Sequence, residues 1–251
     1  MDTLPGIKLR NVNIKYKDKA KYLGVILDKR LTWKDHVKDL ICRANKRIGI
    51  LKYIRDQNET IKTGQLITLY KSLIRPVMEY AAEVWGDASP YLKTKLDSIQ
   101  HQALTKALEV NRLAHRHQVN YEAKVLPLEY RRLEKYFKFY KKISNTEMGK
   151  NILLIKSNDR LKWNRRKSFV EKIQYLKNLF ILKYQDFEVL SLDRFKKIII
   201  NNWIKELNEK DNLRIERYKI TNLKYKAVDS RRKLNSIWHQ TNLGVLPINQ
   251  F

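Results

Sequence analysis

The stretch KYLGVILDKRLTWKDHV, Lys21 to Val37, constrains the fold more than any other part of the chain. It compresses an apolar run, a charged turn and a helix start. Tyr22, Leu23, Val25, Ile26 and Leu27 surround Gly24 in a nearly continuous apolar run, which suits a strand covered on both faces, the glycine marking a close backbone approach. Asp28, Lys29 and Arg30 turn the chain outward. Thr32 followed by Asp35 predicts a capping-box-like helix start, a hydroxyl accepting from an early N–H and a carboxylate at the positive end of the dipole.

Upstream, Ile7 and Leu9, and then Val12, Ile14 and Tyr16, alternate with polar neighbours, and Asn11 suits a turn. Lys15, Lys17, Lys19 and Lys21 fall on the alternate face. Such short strands are marginal alone, so the pattern predicts the edge of a sheet whose remainder lies before Met1.

Downstream the period changes to that of helices. Val37, Leu40, Ile41, Ala44, Ile48 and Leu51 predict a first helix from about Trp33 to Ile54. His36, in its first turn, lacks the partner set of acid, cysteine or second histidine that a catalytic or metal site needs and reads as structural. Leu66, Leu69, Tyr70, Leu73, Val77, Tyr80 and Val84 predict a second helix from about Ile61 to Trp85, bent near Ser72 to Pro76 but unbroken. Arg75 on it suits a phosphate, and at least as well a solvated or carboxylate-paired position. Ser89-Pro90 is a helix start, and Leu92, Leu96, Ile99, Ala103 and Ala107 continue a third. Short connections between the three imply a small bundle. Arg112 to His117 reads as irregular, and His115 and His117 lack further ligands for a metal.

A fourth helix begins at Leu128. Leu133, Tyr136, Phe137 and Tyr140 line one side, while Arg131, Lys135, Lys138 and Lys142 recur on another with Glu134 the only acid among them. Solvated faces normally mix signs, so this line is a candidate track for phosphates. The helical pattern pauses at about Asn145. Lys156 to Lys177 then carries eight Lys/Arg against Asp159 and Glu171. Trp163 beside Arg165, Arg166 and Lys167 suits base stacking next to backbone contacts, or packing into a core, and the basic triplet also suits a nuclear-import patch. Phe169, Ile173, Leu176 and Phe180 predict a fifth helix; Leu192, Phe195, Ile199 and Trp203 a sixth; Leu234, Ile237 and Trp238 a last short one. The expected fold is mainly α: a β element over 1–31, a three-helix bundle over 32–120 and a basic helical region over 121–251.

Fifty-three Lys/Arg against 26 Asp/Glu leave a net charge of +27, an excess that opposes compaction until a polyanion neutralises it. Nucleic acid is the default partner, an anionic membrane surface the competitor. No apolar run approaches the ~20 residues needed to span a bilayer, and MDTLPGIKLR lacks a signal-peptide core; a nuclear or cytoplasmic chain is expected, not a secreted one. Cys42 is the only cysteine, which excludes an intrachain disulfide and the usual zinc knuckles. No Gly-x-Ser-x-Gly, Walker or dinucleotide loop occurs.

The pattern YLGV-x-LD-x-x-LTW-x-x-H, residues 22–36, resembles the end of the palm and start of the thumb in reverse transcriptases of non-LTR retrotransposons, the jockey-like group especially. LYKSLIRPVMEYAAEVW, Leu69 to Trp85, resembles the next block in the same order, and the resemblance covers roughly residues 5–145. It implies that Tyr22, Leu23 and Gly24 match the primer-grip motif, and that about Trp33 to Leu108 match the thumb, which tracks the template–primer duplex. An A-form-like duplex is read through shape and phosphates, which suits a basic helical surface. The family's polymerase holds two Mg²⁺-type ions on an aromatic-x-Asp-Asp turn. No Asp-Asp pair occurs in this sequence, so those aspartates, with the palm and fingers, are expected upstream of Met1. The chain by itself is expected to need no cofactor, to bind RNA or RNA–DNA duplex and to have no polymerase activity. A host-recruited basic helical interaction protein, and a degenerate fragment without function, remain alternatives.

Overall fold

The computed structural model describes residues 7–10, 12–14, 16–58, 60–154, 169–180 and 184–210. Two antiparallel hairpins open the chain: β1 (Ile7–Leu9) with β2 (Val12–Ile14), and β3 (Lys19–Tyr22) with β4 (Val25–Asp28). The rest of the described chain is mainly helical: α1 (Lys34–Gln57), α2 (Thr63–Leu69), a π-helical turn (Tyr70–Ile74), α3 (Arg75–Glu79), α4 (Ala82–Trp85), α5 (Pro90–Leu108), α6 (Arg116–Glu122), α7 (Leu128–Ser144), α8 (Glu147–Leu154), α9 (Phe169–Leu179), α10 (Tyr184–Val189) and α11 (Leu192–Lys210).

The apolar run of residues 22–27 is not one buried strand. Tyr22 pairs with Val25, so Leu23 and Gly24 alone make the turn, with φ of 44° and 80°. Two positive φ values match the right-handed strand twist, the reason hairpins prefer such turns. Leu23 bears that φ at a steric cost, and the tip is exposed, Tyr22 at 67% and Leu23 at 74%, while Val25 reaches the core. The helix cap also differs from a Thr32–Asp35 box. Asp28 closes the β4–α1 joint instead: its Oδ1 accepts from the N–H groups of Arg30 and Thr32, its Oδ2 from the Thr32 hydroxyl and the Trp33 N–H. Partial burial pulls the Asp28 carboxyl up, and these bonds more than offset it, so the group sits below the usual carboxylate range. Asp35 does occupy the first turn of α1, where Lys19 Nζ meets it at 2.9 Å.

α1 buries Val37, Leu40, Ala44, Ile48 and Leu51 against α5, which buries Leu92, Leu96, Ile99, Ala103 and Ala107. Ser89 caps α5 by accepting from Leu92 N–H, with Pro90 at the first helical position. The second helix departs from the expected pattern. Pro76 cannot donate and would clash with the preceding turn; the backbone widens just before it, Arg75 N–H reaching back five residues to Tyr70 O. That π turn adds one residue and rotates the following face by about 100°. Ile74 and Met78 join Val77 in the core, Ala82 and Trp85 fill it beyond a break in the helix, and Tyr80 and Val84, expected inside, are 46% and 48% exposed. The helix then stops at Tyr80, and Ala81 (φ 51°) restarts it as α4.

Buried apolar residues form two clusters, one from Val25 to Leu128 and one from Tyr130 to Leu207. In the second, Phe137 of α7 stacks on Phe195 (4.0 Å between centroids) and meets Phe187 edge-on. The sequence pattern missed α6, α8 and α10, all of eight residues or fewer. The expected short helix near Leu234, Ile237 and Trp238 lies outside the described residues.

His36 is fully buried, edge-on to Trp85, and its Nδ1 accepts the outward N–H of Ile26 at 3.3 Å, which places its proton on Nε2. Burial, and then the charge of Arg43, hold its pKa below the usual 6.5. A depressed histidine contributes stability that is full above the unfolded pKa and is lost as pH falls through about 6.5 toward the folded value; half-buried His101, shifted the same way, adds to this. Denaturant unfolding at pH 7.5 and 5.5 is expected to show a loss of stability on acidification that shrinks in His36→Asn; an equal loss in both proteins would contradict the role given to His36.

Candidate nucleic-acid interface

Two consecutive residues, Glu79 and Tyr80, connect the exposed hairpin tip and the root of α7 to the rest of the chain. Tyr80 hydroxyl donates to the carbonyl of Leu23 at 2.6 Å. A Cβ at Gly24 would lie 3.2 Å from the Tyr80 ring, so only glycine fits both this approach and its φ of +80°. Tyr80 carbonyl in turn accepts from the buried Trp85 indole at 2.6 Å. Just before it, Glu79, 6% exposed, accepts from Arg131 of α7 through both carboxylate oxygens, at 2.7 and 2.9 Å. Arg75 lies 3.7 Å from the same carboxylate, a carboxylate partner of the kind its sequence position allows. The bonds from Glu79, and the charges of Glu79 and Glu134, raise the Arg131 pKa against its burial.

Tyr22, Leu23 and Gly24 thus form a projecting turn fixed from below. On α7, Leu133, Tyr136, Phe137 and Tyr140 face the core as the sequence pattern requires. The four-cation line divides. Arg131 is already bonded to Glu79 and Glu134, whereas Lys138 and Lys142 are exposed, Lys135 is half-buried, and none of these three lysines has an ion pair among the described residues. Trp163, Arg165, Arg166 and Lys167 lie outside the described residues. Two other cations of that basic stretch are turned inward: Lys172 approaches Asp87 at 3.6 Å over the Tyr136 ring, and Lys177 lies over Phe187. His115 and His117 face one another at 5.4 Å between centroids, and no group of three or more His, Cys, Asp or Glu fit for a metal occurs among the described residues. No helix among those residues is long and apolar enough to cross a membrane.

Several curated proteins similar to this chain are described as RNA-directed DNA polymerases of mobile elements. A probable RNA-directed DNA polymerase from transposon X-element of Drosophila melanogaster is 28% identical over 100 residues, 40% of this chain and 11% of that relative. One from transposon BS of the same species is 29% identical over 98 residues, 39% of this chain and 11% of that relative. The RNA-directed DNA polymerase from mobile element jockey, again of Drosophila melanogaster, is 24% identical over 102 residues, 41% of this chain and 11% of that relative. Part of this chain is homologous to jockey-like non-LTR retrotransposon reverse transcriptases. The matched stretch spans about a tenth of those reverse transcriptases' own length. No family model matches the sequence, and no solved structure matches it.

Tyr80 is the residue that helical periodicity assigned to the wrong side. Its signal was the proline four residues earlier: a π turn there shifts everything after it by one position. Glu79 was hidden for a different reason, since nothing local announces that its partner lies 52 residues on. Glu79→Gln removes the charge that balances Arg131 while Glu134 still offsets part of it. Chemical denaturation is expected to show a loss of about 2–3 kcal/mol, under the ~3–5 of a fully buried broken pair; a loss below ~0.5 kcal/mol would mean the pair behaves as a surface contact.

Proposed function

We propose that this chain supplies the thumb-like, duplex-gripping part of a non-LTR reverse transcriptase, binding RNA or an RNA–DNA template–primer without carrying polymerase chemistry itself. The observation that carries this reading is the Tyr22–Leu23–Gly24 turn, held out by Tyr80 and Gly24 at an exposed position within the YLG block that resembles the primer grip. A primer terminus is steadied by a feature that reaches into solvent yet does not itself move, and a two-residue turn bonded from below provides that.

Electrostatics supports the same reading. A net charge of +27 attracts any polyanion, and its sequence-independent term dominates nucleic-acid affinity. Lys135, Lys138 and Lys142 rise by about 4.5 and then about 6 Å along α7, a spacing suited to successive phosphates of one strand. Arg131, bonded at the root of the same helix, sets the direction of α7 and leaves phosphate contact to the three lysines. Chemistry is the part the sequence does not supply: with no Asp-Asp pair, no cluster of the family's kind is available to hold two divalent ions. The palm and fingers of a polymerase are the protein partner this reading implies.

The binding test uses the full chain and a labelled RNA–DNA hybrid duplex, followed by anisotropy across a salt series. Affinity is expected to fall steeply with salt and to depend little on sequence. Lys135→Gln, Lys138→Gln and Lys142→Gln together keep helix propensity similar and are expected to make the log–log salt slope shallower by roughly 2 to 3. An unchanged slope would show that these lysines are merely solvated. Primer extension on an RNA template with Mg²⁺ or Mn²⁺ is expected to give no product, and templated synthesis that survives stringent purification would overturn the non-catalytic part of the reading.

A further inference from the structure

The last turns of α1 and α5 and the loop after α5 form a cleft of about 590 Å³, lined by Arg55, Gln102, Thr105, Lys106, Glu109, Val110 and Arg112. Its walls are built. α5 ends at Glu109, which takes a φ of 58°, and Val110 N–H returns to the carbonyl of Thr105. Arg55 Nη1 donates to Lys106 carbonyl at 3.2 Å, tying the two helices, while its Nε and Nη2 hold Asp56. A ring nitrogen of His101 meets the carbonyl of Arg112 at 3.1 Å and fixes the loop that carries that arginine.

What this frame gathers is positive charge. Burial lowers the pKa of the Lys106 ammonium, and Lys52, Arg55 and Arg112 each lower it further; Asp56 alone opposes them. Two helix carboxyl ends meet here, and cations there are favourable in their own right, each end standing for about half a negative charge. Those two ends together with Asp56 and Glu109 still leave the four cations ahead by roughly one charge. One phosphodiester carries that amount.

We propose that this cleft is an anion site that takes one phosphate group, gripped by Lys106 and Arg112 against the fixed guanidinium of Arg55. The phosphate comes from a nucleic-acid backbone or from a free inorganic anion. Only the first source rests on the template–primer reading; the site itself does not. No α7 residue lines the cleft, so a duplex held by it and by the α7 lysines would be bound through two different sets of side chains.

The experiment titrates the full chain with inorganic phosphate at constant ionic strength and follows the backbone amide signals of Thr105 and Val110, then repeats this in Lys106→Gln/Arg112→Gln. Arg55 is left alone because it ties α1 to α5. If the double variant fails to fold by circular dichroism, Arg112→Gln alone, at an exposed loop position, replaces it. Phosphate-dependent shifts of these amides in the native chain that vanish in the variant are expected. The hybrid-duplex salt slope then identifies the source: shallower by about 1 to 2 in the variant for a nucleic-acid phosphate, unchanged for a free anion. Absent shifts in the native chain, or shifts that persist in the variant, overturn the proposal. A chain that binds no duplex at all would defeat the template–primer reading and leave the phosphate titration to decide this site separately.

Discussion

The contacts of Glu79 and Tyr80 tie together the hairpin tip, the bundle core and the root of α7. Glu79 turns inward to Arg131 and fixes the root of α7. Tyr80 turns outward, takes the Leu23 carbonyl with its hydroxyl and gives its own carbonyl to Trp85 in the core. Ala81, at positive φ, breaks the helix so that neighbouring residues serve opposite sides. Pro76 sets the register leading into this junction, and the break at Tyr80–Ala81 completes it. A proline inside a helix forces the widened turn at Tyr70–Ile74, and the extra residue rotates Tyr80 off the core face and Met78 onto it.

Much of the helical order was legible in the sequence, because burying a stripe of side chains imposes a 3.6-residue period. The starts of α5 and α7, the buried faces of α1, α5 and α7 and the structural role of His36 all follow from local pattern. What escaped is non-local or sub-periodic. An apolar run such as Tyr22–Leu27 reads alike as a covered strand or as a hairpin folded back on itself; only the φ values of Leu23 and Gly24 separate them. Arg131 shares a line with Lys135, Lys138 and Lys142, yet the line does not reveal that Glu79 claims it. Lys172 and Lys177 likewise read as surface cations until Asp87 and Phe187 are placed beside them.

Those internal pairings refine what the charge excess means. Arg131, Arg132 and Lys172 meet Glu79, Asp97 and Asp87 within or between the two cores, so part of the basic character serves the fold. The cations that remain outward include Lys135, Lys138 and Lys142 on α7 and those around the cleft at the ends of α1 and α5. Homology to jockey-like reverse transcriptases gives this division a rationale. On the template–primer reading proposed above, a duplex-holding element would be rigid where it carries the grip and charged where it meets phosphate, and the Glu79–Tyr80 junction would link the two.

Lysine footprinting by amine acylation and mass spectrometry, with and without an RNA–DNA hybrid duplex, tests this account most directly. Lys21, beside the turn, and Lys138 and Lys142 on α7 are all exposed in the free chain. The account predicts that duplex protects all three together, and that Tyr80→Phe, which releases the tip by removing one hydrogen bond, weakens protection at Lys21 while leaving Lys138 and Lys142 protected. Protection confined to α7, with Lys21 acylated equally in both samples, would contradict the central claim that the hairpin tip is a fixed part of a duplex grip.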